Sequence, residues 1–253
     1  MNELTVIKAG TGVLTRISDG TLDGAALVRL VTSIAGLVES GHRCLLVSSG
    51  AVGAGVSAFG LEGYPSDITT RQACAAVGQA RLMHTYESLF RNFDLSVAQV
   101  LLTADDLGTP NRCDCVRNTL ERLLAEPRIL PIINENDSVA IEEIKVGDND
   151  MLSARVARLA GARRLILLTS VDGLLAPGDD QLVTEVDDLD AVESFAKDER
   201  GKFSIGGMAS KLKAVRHAVE AGIEVHIAHG RKPEHLAPIL AGQKGLSTRF
   251  KAG

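Results

Sequence analysis

Short apolar runs recur along the chain, separated by stretches whose apolar positions fall at helical spacing. Leu4 to Ile7, Cys44 to Val47, Ser96 to Leu102, Ile129 to Ile133, Leu165 to Thr169 and Val225 to Ala228 read as strands, because they are brief, rich in branched residues and bounded by polar or glycine-containing segments. Between the first two, Leu27, Leu30, Val31, Ile34 and Leu37/Val38 repeat in steps of three and four, which predicts a helix capped by Asp23 and closed by Gly41. Similar patterns predict helices over 70–93, 112–125, 151–159, 189–196 and 210–221. Strands alternating with amphipathic helices predict an α/β fold, a parallel sheet covered on its faces by crossover helices. Weak alternation over 137–145 suggests a small hairpin at the sheet edge, and 176–180 and 197–206 read as exposed loops.

Composition narrows the class. With 253 residues, 45% hydrophobic and 23% charged, the chain has the balance of an ordinary globular protein. No repeat, low-complexity tract or proline-rich linker divides it, so one continuous sheet is preferred. A formal net charge of -5 with no basic stripe argues against a nucleic-acid partner. No apolar run approaches the roughly 20 residues of a membrane span, and the opening does not resemble a signal peptide, so a cytoplasmic protein without a membrane partner is expected. Cys44, Cys74, Cys113 and Cys115 lack metal-like pairing and are read as reduced, while His226 and His229 are weak evidence for a metal.

The chemistry is concentrated after the strands, where ligands bind in open parallel sheets. The first strand runs into Lys8-Ala9-Gly10-Thr11-Gly12, a cation beside accessible backbone amides. The second ends in Ser48-Ser49-Gly50-Ala51, where small residues let a ligand approach and a helix starting at Gly50 would favour an anion. The Walker pattern and the dinucleotide fingerprint are both absent. From Ile133 to Ala154, Asn134-Glu135-Asn136-Asp137 and Lys145-Val146-Gly147-Asp148-Asn149-Asp150 set polar side chains in an apolar frame, more than a core would bury without ligands. Gly206-Gly207-Met208-Ala209-Ser210-Lys211 leads into a helix with lysine in its first turn. That lysine misfits the helix dipole unless an anion is shared, although as an isolated motif a solvated lysine is the better reading.

Taken together, these residues resemble the amino acid kinase family over nearly the whole chain. The shared motifs are Val6-Ile7-Lys8-Ala9-Gly10-Thr11, Ser49-Gly50-Ala51, Ala76-Val77-Gly78-Gln79, Ile133 to Asp137, Glu143 to Asp150 with Leu152-Ser153-Ala154, and Gly206-Gly207-Met208 with Lys211. The joined blocks 134–137 and 143–150 resemble the members that phosphorylate glutamate.

The resemblance implies a three-layer α/β/α sandwich with a mainly parallel central sheet, a single domain over 1–253 whose N-terminal part holds L-glutamate and whose C-terminal part holds ATP. It also implies L-glutamyl 5-phosphate as product in the first step of proline biosynthesis. Lys8 and Lys211 would hold the transferring phosphoryl group and Asp150 would orient them. Ser49, Gly50, Asn134, Asp137 and Asn149 would bind the amino acid. ATP would lie against Lys8, Gly10, Thr169, Ser170 and the loop Ile205, Gly206, Gly207, Met208 and Lys211, with Mg²⁺ carried mainly by its phosphates and no protein ligand set for the metal. Proline as feedback inhibitor and a homodimer or homotetramer are further implications.

Ser170, Ile205, Gly12 and Leu175 stand where the family more often has aspartate, threonine, serine and tyrosine. The end at Gly253 corresponds to a short form without the RNA-modification-type domain of many relatives, or to a truncated chain. Two alternatives remain at this stage: a relative acting on another small acid such as N-acetylglutamate, aspartate or carbamate, and a non-catalytic sensor of glutamate or proline.

Overall fold

Every long apolar run identified above becomes a strand of one eight-stranded sheet. The computed structural model describes residues 3–139, 149–176, 181–192 and 207–252. The strands are β1 (Leu4–Ala9), β2 (Arg43–Val47), β3 (Ser96–Leu102), β4 (Ile129–Glu135), β5 (Arg164–Thr169), β6 (Glu185–Val186), β7 (Glu224–His229) and β8 (Ser247–Phe250). The helices are α1 (Thr11–Leu14), α2 (Gly24–Glu39), α3 (Ala51–Val56), α4 (Ile68–Phe90), α5 (Ala104–Gly108), α6 (Pro110–Leu124), α7 (Asn149–Leu159), α8 (Met208–Val219) and α9 (Leu236–Leu240).

Sheet order is β3-β4-β2-β1-β5-β7-β8-β6, parallel throughout except where β8 runs antiparallel to β7. The chain fills one side of β1 with β2 to β4 and the other with β5 to β8, so strand order reverses at the centre, where ligands of open sheets bind.

Alternation along the central strands explains the three layers. Leu4 and Val6, Leu45 and Val47, and Leu165 and Leu167 face a core shared with α6, α7 and α8, while Ile7, Leu46, Ile166 and Leu168 face a second core with α2, α4 and α9. A sheet covered on both faces needs apolar residues in both phases, which is why these strands read as unbroken apolar runs. Lys8 shares the phase of Leu4 and Val6, so its side chain enters the α7/α8 side.

Asp23 caps α2 by accepting from the Ala26 amide at 3.1 Å, and Gly41, at φ 88°, takes the left-handed turn after it. In α4 the buried positions Cys74, Gly78, Leu82, Tyr86 and Phe90 repeat every four residues, so this stripe packs inward. All four cysteines are free thiols, and burial pushes the Cys44 thiol up to about 12. No helix among the described residues is long and apolar enough to cross a membrane. The hairpin expected over 137–145 and the loops at 176–180 and 197–206 fall wholly or mostly outside the described residues, as does the end of the 189–196 helix.

The contact of α3 with α4 sets the position of the Gly50 turn. A Cβ on Gly78 would fall on the Ala51 carbonyl oxygen, and one on Gly55 would fall on the Cys74 carbonyl oxygen. Gly78→Ala should therefore destabilise the fold. Better helix propensity contributes only about 1 kcal/mol, against about 1–3 kcal/mol for forcing backbone apart. Denaturant unfolding of the variant checks the sign; equal or greater stability would contradict this packing.

Candidate active site

The first turn of α7 presents two consecutive side chains to two different groups of partners. Asn149 and Asp150 are about 100° apart around the helix, as successive helical residues must be. One reaches the ends of β2 and β4, and the other reaches the end of β1 and the start of α8.

Asp150, fully buried, lies between two ammonium groups, with Lys8 Nζ 2.5 Å from Oδ1 and Lys211 Nζ 3.1 Å from Oδ2. Lys8 is 2% exposed and Lys211 12%. Lys211 is thus drawn inward rather than solvated, and its misfit with the helix dipole is offset by a carboxylate. A side chain on the residue after β1 would crowd the clamp, since a Cβ on Gly10 would stand 3.2 Å from Lys8 Nζ. Two ammonium groups held close together by a carboxylate in a site of low accessibility are an arrangement suited to a polyanionic ligand.

Asn149 makes the second cluster. Its Nδ2 donates to the Ser48 carbonyl at 2.6 Å, Ser49 Oγ at 2.9 Å and Asn134 Oδ1 at 2.9 Å, three acceptors for two hydrogens. Its Oδ1 is buried and has no hydrogen-bond partner among the described residues. Such a carbonyl suits a ligand donor. Ser48 Oγ pairs with the Tyr86 hydroxyl at 2.9 Å, and burial pushes that phenol well above its ordinary pKa while the Ser48 contact opposes the rise.

Gly50 takes φ 94° at the start of α3, a conformation only glycine adopts readily. Asp137 lines a groove of about 360 Å³ with Ala51, Gln79, Gln99 and Glu135. After burial, its charge helps hold the Tyr64 hydroxyl above the usual value.

Thr169 ends β5 beside His229, and the exposed Ser170 follows it. Gly207 and Met208 begin α8. Ile205, Gly206 and the Glu143 to Asp148 part of the motif lie outside the described residues. The structure therefore gathers Lys8, Gly10, Ser49, Asn134, Asn149, Asp150 and Lys211 around the α7 start. His226 and His229 do not make a shared site. His226 bridges Ser247 Oγ at 3.0 Å and Glu224 Oε1 at 3.2 Å, and His229 Nδ1 accepts from the Arg231 amide. Burial opposes ionisation of Glu224, but hydrogen bonds from Arg249, His226 and Arg164 hold it down at about 2.

The amino acid kinase family profile matches residues 3–229. The chain belongs to this family. Its relatives include the glutamate 5-kinase of Synechococcus elongatus, 45% identical over 99% of this chain and 70% of that protein. The glutamate 5-kinase of Symbiobacterium thermophilum is 46% identical over 97% of this chain and 94% of its own length. Among solved structures, a Giardia carbamate kinase superposes with a TM-score of 0.69 at 15% identity, covering 100% of this chain and 99% of its own. N-acetylglutamate synthase from Neisseria gonorrhoeae gives 0.68 at 18% identity, over 99% of this chain and 60% of that one. These two likenesses are to the family's fold, the three-layer sandwich with a mainly parallel sheet.

Gln79, Gln99 and Tyr86 join the site without having been assigned roles from sequence. Gln79 lay within the Ala76 to Gln79 family motif, which was the available signal. Gln99 and Tyr86 carried none beyond strand and helix patterning.

Proposed function

We propose that this chain transfers the γ-phosphoryl group of MgATP to the side-chain carboxylate of L-glutamate, giving L-glutamyl 5-phosphate. The observation that carries the reading is the start of α7, where a two-lysine clamp on Asp150 adjoins the Asn149 amide cluster. Identity of 45–46% to glutamate 5-kinases over nearly the whole chain supports the choice of acid.

In this reading Ser49, Gly50, Asn134, Asp137 and Asn149 hold glutamate. Gly10, Thr169, Ser170, Gly207 and Met208 lie against the nucleotide, with Ile205 and Gly206 assigned to it by the resemblance. Lys8 and Lys211 face the phosphoryl group in flight, and Asp150 fixes both ammonium groups.

The acceptor carboxylate is already ionised near neutral pH, so attack on phosphorus needs no general base and no catalytic histidine. What the reaction needs is compensation of charge as anionic acceptor and triphosphate come together, and preorganised cations supply that. No cluster of three or more His, Cys, Asp or Glu suited to a metal occurs among the described residues, and Asp150 is engaged by lysines. In this reading the divalent ion comes with the co-substrate, carried mainly by its phosphates, as the family resemblance implies. Feedback inhibition by proline and a homo-oligomeric assembly, both implied by the family resemblance, belong to the same proposal.

Hydroxylamine trapping tests the reading. Glutamate with MgATP should give an acyl hydroxamate, and N-acetylglutamate and aspartate should give little. A hydroxamate from N-acetylglutamate in preference to glutamate, or none from any acid, would overturn it.

A further inference from the structure

A chain of side-chain amides runs from the amino-acid pocket through α4 to the exposed Gln99 on the edge strand β3. Asn149 Nδ2 donates to Asn134 Oδ1 at 2.9 Å, Asn134 Nδ2 donates to Gln79 Oε1 at 2.9 Å, and Gln79 Nε2 donates to Gln99 Oε1 at 3.1 Å.

Amides can in principle be turned end for end, but this chain is pinned by backbone groups that cannot reverse. The Glu135 amide donates to Asn134 Oδ1 at 3.0 Å, so the Asn134 carbonyl must face it. The Ser48 carbonyl only accepts, so Asn149 must present its NH₂ there. With both ends of Asn134 assigned, its NH₂ needs an acceptor, and Asn134 is only 1% exposed. Gln79 supplies that acceptor, and its own NH₂ is then left to meet Gln99.

We propose that Gln79 is a positioning residue for the substrate. It holds Asn134, and through it Asn149, in the orientation that leaves Asn149 Oδ1 free to accept from the α-ammonium group of the amino acid. This rests on the glutamate-phosphorylating reading above and adds a residue and a selectivity to it.

Without an acceptor at position 79, the buried Asn134 NH₂ must turn toward another partner. Asn134 Oδ1 then leaves Asn149, and the Asn149 amide loses one of its three anchors. The consequence is specific: recognition of the ammonium group weakens, while the lysine clamp, which shares no hydrogen bond with Gln79, is untouched.

The experiment compares wild type with Gln79→Met, of similar shape without an acceptor, Gln79→Ala as a second removal in case the first does not fold, and Gln79→Glu, which keeps an acceptor oxygen. Kinetics are measured with L-glutamate, with glutarate, which is the same diacid without the ammonium group, and with varied ATP. Gln79→Met and Gln79→Ala should raise KM for glutamate by about 10-fold with kcat and the KM for ATP within about twofold. The preference for glutamate over glutarate should narrow by a similar factor.

Gln79→Glu should stay within about threefold of wild type in glutamate KM and keep the preference. An unchanged glutamate KM in both removal variants, an unchanged preference, a parallel loss in ATP KM, or equal impairment in Gln79→Glu would each overturn the proposal. Absence of glutamate turnover by the wild type would instead overturn the underlying reading, and this one with it.

Discussion

Lys8→Met should lower kcat by about 10²- to 10³-fold, the usual cost of removing one preorganised group that meets developing charge, with little change in KM for glutamate. Methionine keeps an unbranched chain of similar length, so what is lost is the ammonium group rather than volume. The site gives that charge unusual leverage. Lys8 is 2% exposed and lies 2.5 Å from Asp150 Oδ1, so water cannot take over its role.

Its loss also takes one of the two lysines away from Asp150. Removing a partner from a buried pair costs about 3–5 kcal/mol when the remaining charge is stranded. Here Lys211 still lies 3.1 Å from Oδ2, and the stability loss should fall at or below the lower end of that range. Initial rates and denaturant unfolding measure the two effects separately. A kcat within tenfold of wild type would remove Lys8 from the reacting centre.

How far such a centre could be read from sequence depends on which interactions are local. Strand β1 and its lysine, the small residues after β2, and the polar run after β4 were visible because each departs from the apolar pattern just before it. Strands β6 and β8 were not visible. β6 has two residues, and Ser247-Thr248-Arg249-Phe250 carries one apolar side chain, with its place set by antiparallel pairing to β7. The short helices α1, α5 and α9, of four or five residues each, span too little chain for a 3.6-residue period to declare itself.

Lys211 is an instructive case. As an isolated motif it was better read as solvated, yet it falls between Met208 and Val215 on the inward face of α8, whereas Lys213 is exposed. Helical spacing carried the information and the motif did not. The Gln79 contact had no such signal, because Asn134 lies 55 residues further along the chain and only the packing of α4 against the sheet brings the two amides together.

The sharpest test of the clamp is a reversal of sign in a double variant. Asp150→Asn removes the carboxylate charge that lies between Lys8 and Lys211 and puts a neutral amide beside both cations, one of them 2% exposed. Taking a carboxylate away from a buried cation costs about 3–5 kcal/mol, and the repulsion between the two ammonium groups acts in the same direction. Activity should fall at least as far as in Lys8→Met, because both cations lose their anchor.

Adding Lys8→Met to Asp150→Asn then removes the deeply buried cation and leaves Lys211, which is 12% exposed and on a long side chain that can turn toward solvent. The double variant should therefore be more stable than Asp150→Asn alone, although each substitution is destabilising in the wild type. Residues that share a charge network are expected to couple in this way, by about 0.5–3 kcal/mol, whereas independent sites would simply add. Denaturant midpoints of the four proteins in the cycle decide it. Additive losses would mean that Lys8 and Asp150 stabilise the fold separately, and that the carboxylate is not what holds the two lysines at the phosphoryl position.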